Sequence, residues 1–81
     1  MQTLKKIIGI DPGLINTGWG LIEVEGNVIR HIDHGLIKIK TSDDIAVRLL
    51  NIYEALILIL SKHMPDEASI EKTFVNKNPN S

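Results

Sequence analysis

Apolar residues along this chain follow first a strand-like and then a helical period. Lys6–Asp11, KIIGID, is short, β-branched and almost wholly apolar, which suits a strand buried on both faces. Pro12-Gly13 ends that run, and Gly18–Val24 predicts a second strand. Glu25-Gly26-Asn27 offers a turn rich in residues that tolerate positive φ. Val28–Lys40 predicts a third strand with room for a bend at Gly35, and its LIKIK segment alternates as a half-exposed strand should. So short a turn makes the second and third strands antiparallel neighbours.

The period then changes. Ile45, Leu49, Ile52, Leu56 and Ile59 fall on one face of a helix. Thr41, Ser42 and Asp43 offer an N-cap, with acidic residues in the first turn where the helix dipole favours them, and Pro65 closes the segment. Ala55–Leu60, ALILIL, is apolar all round, so the last helical turns are expected to need cover on more than one side. Glu67–Glu71 predicts a short strand whose clearest inward residue is Ile70, and KTFVNKNPNS follows as a loop or the start of an unfinished element. The order is β-β-β-α-β, an α/β pattern. A right-handed crossover through the helix can place the last strand parallel to and beside the first.

Length and composition narrow the class. The 81 residues make a single domain, 1–81. A chain of this size buries only about 60% of the surface its unfolded form exposes, so marginal stability is expected. Apolar residues at 43% and charged residues at 23% are ordinary globular values rather than a disordered composition. With no cysteine, a disulfide scaffold and a thiolate metal site are both excluded. A net charge of −1 leaves any nucleic-acid contact to a local basic patch. The apolar stretch after Lys5 and Lys6 is too short for a signal-peptide core, and Ile45–Leu60 is interrupted by Arg48, Asn51 and Glu54. These features predict a cytoplasmic protein with no membrane partner.

The chemistry follows from the layout. Asp11 and Glu71 end the first and last strands, and parallel neighbours ~4.8 Å apart would bring both carboxylates out side by side. Sites in open α/β sheets gather at the carboxyl ends of strands, and two like charges there favour a bound cation. With oxygen ligands only, that cation is Mg²⁺ or Mn²⁺. Taken singly, an aspartate before Pro-Gly is more often a turn initiator than a ligand, and a glutamate ending a strand is more often just solvated. Their joint placement weakens both of these readings without deciding between them and a site. Gly13, Gly18 and Gly20 around Thr17 serve a tight hairpin or the close approach of a phosphate, the hairpin being preferred. His31 and His34, three apart on a strand, are expected on opposite faces, and they and His63 read as structural or solvated. Trp19 and Tyr53 read as packing residues. Phe74, between Lys72 and Lys77, could plug the sheet end or stack on a base.

At this point the residues match something more specific. IIGIDPGLINTGWGLIE, RLLNIYEALILIL and MPDEASIEKTFVNKN together resemble the N-terminal part of the RuvC family of bacterial Holliday junction resolvases, over essentially the whole chain. The G-I-D-P-G-x-x-x-T-G block and the I-E-x-x-F-x-x-K-N block carry the likeness, in order and at family-like separation. The resemblance implies a ribonuclease H-like fold, here incomplete. It implies an endonuclease that nicks four-way DNA junctions in recombination and repair, as a homodimer working with a RuvA–RuvB branch-migration complex. It assigns Asp11 and Glu71 as catalytic, metal-binding residues for Mg²⁺, with Mn²⁺ possible and two ions per complete site, and in-line attack of an activated water on a phosphodiester. Phe74 matches the family's aromatic near the junction centre, and Lys72, Asn76, Lys77 and Asn78 lie where DNA contacts are expected.

The resemblance implies further acidic ligands on a C-terminal helix, which is not expected within these 81 residues. The expectation is therefore a truncated nuclease domain, inactive alone, with one sheet face uncovered. Two alternatives compete: an actin-like ATP-binding phosphotransferase, whose phosphate loop has a related Asp-x-Gly-x-x-x-Thr-Gly pattern, and a non-catalytic fragment that binds branched DNA. An RNA-trimming nuclease of the same fold is nearer, but lacks the Glu-Phe-Lys-Asn block.

Overall fold

In the computed structural model, residues 3–71 are described. The chain forms β1 (Leu4–Asp11), β2 (Asn16–Glu25), β3 (Val28–Lys38), α1 (Ile45–His63) and β4 (Glu67–Ile70). The predicted order holds, with β1 and β2 each starting two residues before their apolar runs. The sheet order is β3-β2-β1-β4. β1 to β3 are antiparallel in sequence, while β4 returns through α1 to pair parallel with β1, Ile7 opposite Glu67 and Ile10 opposite Ile70.

Strand alternation divides the sheet into two faces. Ile8 and Ile10 of β1 lie opposite Leu21 and Trp19 of β2, and these meet Leu56, Ile59 and Leu60 of α1. Ile8 and Leu21 are fully buried, so the core is a narrow seam between the middle strands and one helix face. Trp19 lies over Gly35, where a Cβ would come within 2.7 Å of the indole nitrogen; this is why the strand across from it carries a glycine. The opposite face presents Ile7, Gly9 and Asp11 of β1 beside Gly18, Gly20 and Ile22 of β2, and a Cβ built at Gly18 or Gly20 meets nothing.

Several expectations change in three dimensions. No acidic residue lies in the first helical turn, and Asp44 is the N-cap without a side-chain cap bond. Arg48 does the tethering instead, its guanidinium donating to the carbonyls of Asp43 and Thr41. The helix ends at Met64 in the left-handed conformation, its N–H donating to the Leu60 carbonyl at 2.8 Å. Ile70 falls on the helix-side register but is 66% exposed, because β4 is an edge strand and α1 covers the middle of the sheet. Tyr53 points outward, as do Ile57 and Leu58, so among the described residues ALILIL is covered from one side only.

The histidines also depart from simple alternation. Leu21 pairs with Asp33 but Ile22 pairs with His31, which leaves Ile32 as an extra residue on β3. This bulge returns His31 and His34 to the same face, where their rings hydrogen-bond, Nε2 to Nδ1, at 2.9 Å. On the other face Asp33 meets His63 of α1 at 3.3 Å, and His63 stacks obliquely on Trp19.

Candidate active site

Asp11 is the last residue of β1 and Glu71 the first after β4. The Glu71 N–H donates to the Ile10 carbonyl at 2.9 Å, extending the parallel ladder one step past the strand. That bond and the Ile10–Ile70 register set Asp11 and Glu71 at the same level of adjacent strands. Their side chains leave on the face opposite α1, since Ile10 points into the core. Both are exposed and line a shallow depression of about 190 Å³, with Gly9, Gly18, Gly20 and Ser69 as its low floor.

The loop after Asp11 is held from within. Thr17, fully buried, accepts from the Gly13 N–H at 3.1 Å and donates to the Gly13 carbonyl at 2.9 Å. A Cβ at Gly13 would collide with the Asn16 carbonyl oxygen, so only glycine closes this loop. The Ile39 N–H then donates to the Ile15 carbonyl at 3.0 Å, fastening the loop to the segment after β3. Sequence reasoning did not single out Thr17 as the clasp; its one signal was a hydroxyl four residues past a glycine. Ser69 was also missed, although it stands two positions before Glu71 and so on the same face.

The donor set is two carboxylates, with no softer ligand beside them in the depression. Among the described residues no group of three or more His, Cys, Asp or Glu converges. Two oxygen donors fit Mg²⁺, which keeps most of its waters and takes one or two carboxylates together with phosphate oxygens. Lys72, Phe74, Asn76, Lys77 and Asn78, the expected DNA contacts, lie outside the described residues. No helix among the described residues is long and apolar enough to cross a membrane.

Comparison with known proteins bears on this geometry. Residues 7–81 match the family model "Crossover junction endodeoxyribonuclease RuvC". The RuvC of Paracoccus denitrificans is 50% identical over 72 residues, covering 89% of this chain and 43% of that protein. The RuvC of Agrobacterium fabrum is 47% identical over 77 residues, covering 95% and 45%. Among solved structures, Thermus thermophilus RuvC in complex with Holliday junction substrate superposes with a TM-score of 0.76 at 25% identity, covering 90% of this chain and 48% of that one. The chain thus spans less than half the length of the relatives it matches. These matches lend nothing to the phosphotransferase alternative. With its family-specific blocks, its ribonuclease H-like half-sheet and these matches, the chain belongs to the RuvC family.

Proposed function

We propose that this chain serves a metal-dependent, structure-specific endonuclease that nicks four-way DNA junctions in recombination and repair. The observation that carries the reading is the level placement of Asp11 and Glu71 on parallel neighbours β1 and β4. The solved relative bound to a Holliday junction supports the substrate class. Asp11 and Glu71 would hold Mg²⁺, with Mn²⁺ as a substitute and two ions in a complete site. Such ions supply charge neutralisation at the phosphodiester and an activated water for in-line attack.

The chain's own residues have distinct tasks in this reading. The buried seam of Ile8, Ile10 and Leu21 fixes β1, so Asp11 stands on a rigid strand end rather than on a loop. The Thr17–Gly13 clasp keeps the loop beyond it folded back. The glycine floor lets a sugar-phosphate backbone come close to the carboxylates without a side chain in the way. Phe74 would stack on a base near the junction centre while Lys72, Asn76, Lys77 and Asn78 meet the strand around it. A homodimer would present two such sites to the symmetric arms, with a RuvA–RuvB complex moving the branch point, in the bacterial cytoplasm.

The test is a chimera. Residues 7–81 of this chain replace the matching segment of the Paracoccus denitrificans relative, and a synthetic four-way junction is offered with Mg²⁺. Paired symmetric nicks are expected. Asp11→Asn or Glu71→Gln should lower the rate about a hundredfold or more, the scale of losing one transition-state charge stabiliser. Nicking that survives both changes, or equal action on linear duplex, overturns the assignment.

A further inference from the structure

We propose a second, imidazole-type site for a divalent transition metal on the same sheet face, formed by His31 and His34. Their ring nitrogens, Nε2 and Nδ1, stand 2.9 Å apart, with ring centroids 5.0 Å apart and planes inclined at 49°. Metal–nitrogen bonds of ~2.0–2.1 Å meeting at a right angle hold their nitrogens ~2.9 Å apart, whereas a tetrahedral angle needs ~3.3 Å. At 2.9 Å the two nitrogens are in hydrogen-bond contact, so a small turn of the exposed rings reaches either spacing, and the choice of Cu²⁺ over Ni²⁺ and Zn²⁺ rests on the affinity order of nitrogen sites. Imidazole is also the donor these ions prefer, while the oxygen pair at Asp11 and Glu71 suits Mg²⁺.

The pair is set by the fold. The β3 bulge at Ile32 brings both rings to one face, and the Asp33 carboxylate braces it from two directions. One Asp33 oxygen accepts from the His34 backbone N–H at 2.8 Å, and the other faces His63 Nε2 at the end of α1. Both rings are exposed, so each can turn its lone pair toward an incoming ion. The hydrogen shared between them gives way to the ion, and the donor ring carries its proton on its other nitrogen, so no net proton is lost. Water completes the coordination, since His31 and His34 are the only ligands the site offers among the described residues. His34 lies across from Gly20, itself across from Gly9, so an ion held here looks over bare backbone toward the Asp11–Glu71 depression.

The test titrates the 81-residue chain with Cu²⁺ in the presence of excess Mg²⁺, following affinity by calorimetry and ligation by electron paramagnetic resonance. Hyperfine coupling to two imidazole nitrogens is expected. His31→Gln and His34→Gln should each reduce the coupling to one nitrogen and weaken binding at least about tenfold, no less than loss of an outer-shell partner costs a metal site. Circular dichroism checks that each variant keeps its fold. Two-nitrogen coupling that persists in either His31→Gln or His34→Gln overturns the proposal, as does a change in affinity of twofold or less.

Discussion

Thr17 grips Gly13 on both sides of its α-carbon: the Thr17 hydroxyl accepts from the Gly13 N–H and donates to the Gly13 carbonyl. Thr17 is the one buried polar side chain among the described residues, and both its hydrogen-bonding capacities are spent on the loop that follows Asp11. A hydroxyl, not merely a small side chain, is what the position requires.

Thr17→Val keeps the shape and removes both bonds. It should cost about 1–3 kcal/mol, because two backbone groups lose a buried partner. Thr17→Ser should recover most of that loss. Urea denaturation of the three proteins checks the order; a valine variant as stable as the parent would show the clasp to be incidental.

Gly35→Ala sets a methyl 2.7 Å from the Trp19 indole nitrogen and 2.9 Å from two of its ring carbons. The indole must swing away from β3, disturbing its contact with His63. Overpacking of this kind should destabilise by about 1–3 kcal/mol. Tryptophan fluorescence should shift in the same variant.

Lys5 and Glu67 lie 2.6 Å apart and bridge β1 to β4. The Glu67 hydrogen bond, then its charge, raises the Lys5 ammonium above its ordinary 10.5. With the folded pKa above the unfolded one, the pair's contribution is fully present below about pH 10.5 and is lost as pH rises through the folded value. The stability difference between the parent and Lys5→Met should therefore be constant from neutral pH to about 10 and shrink above it. Denaturation midpoints measured across that range give the answer.

Asp11→Asn and Glu71→Gln should each weaken Mn²⁺ binding to this chain at least about tenfold. The double variant should do little worse than either alone, since one carboxylate holds the ion poorly. Mn²⁺ electron paramagnetic resonance measures free ion directly. His31→Gln should leave this binding unchanged, which separates the oxygen site from the imidazole one.

Tyr53, Ile57 and Leu58 form an outward apolar strip on α1, Leu58 being 72% exposed. Such a strip favours self-association. Light scattering should show the mean mass rising with concentration. Leu58→Lys should reduce that rise while moving stability by no more than about 0.5 kcal/mol.

Much of this architecture was legible in the chain itself. Local periodicity placed three strands, a helix and a fourth strand, because alternation and the helical repeat are properties of neighbouring residues. The handedness of a crossover then predicted β4 beside β1, and with it Asp11 beside Glu71. What local patterns could not reach were features decided across strands. Ile70 looks inward by pattern yet lies 66% exposed, since inwardness at a sheet edge depends on how far the helix extends over it.

His31 and His34 show the division most clearly. By sequence they belong on opposite faces, and by structure they share one, because Ile32 is passed over in pairing with β2. Whether a strand absorbs an extra residue depends on which cross-strand bonds and which brace, here Asp33 against His63, compensate it. The sequence by itself determined the order of the elements, the family, and the carboxylates at the strand ends, because each is written in residues close together or in spacing along the chain. Only the tertiary structure decided which faces stay bare, which polar groups are buried, and which histidines meet, because those depend on partners distant in sequence.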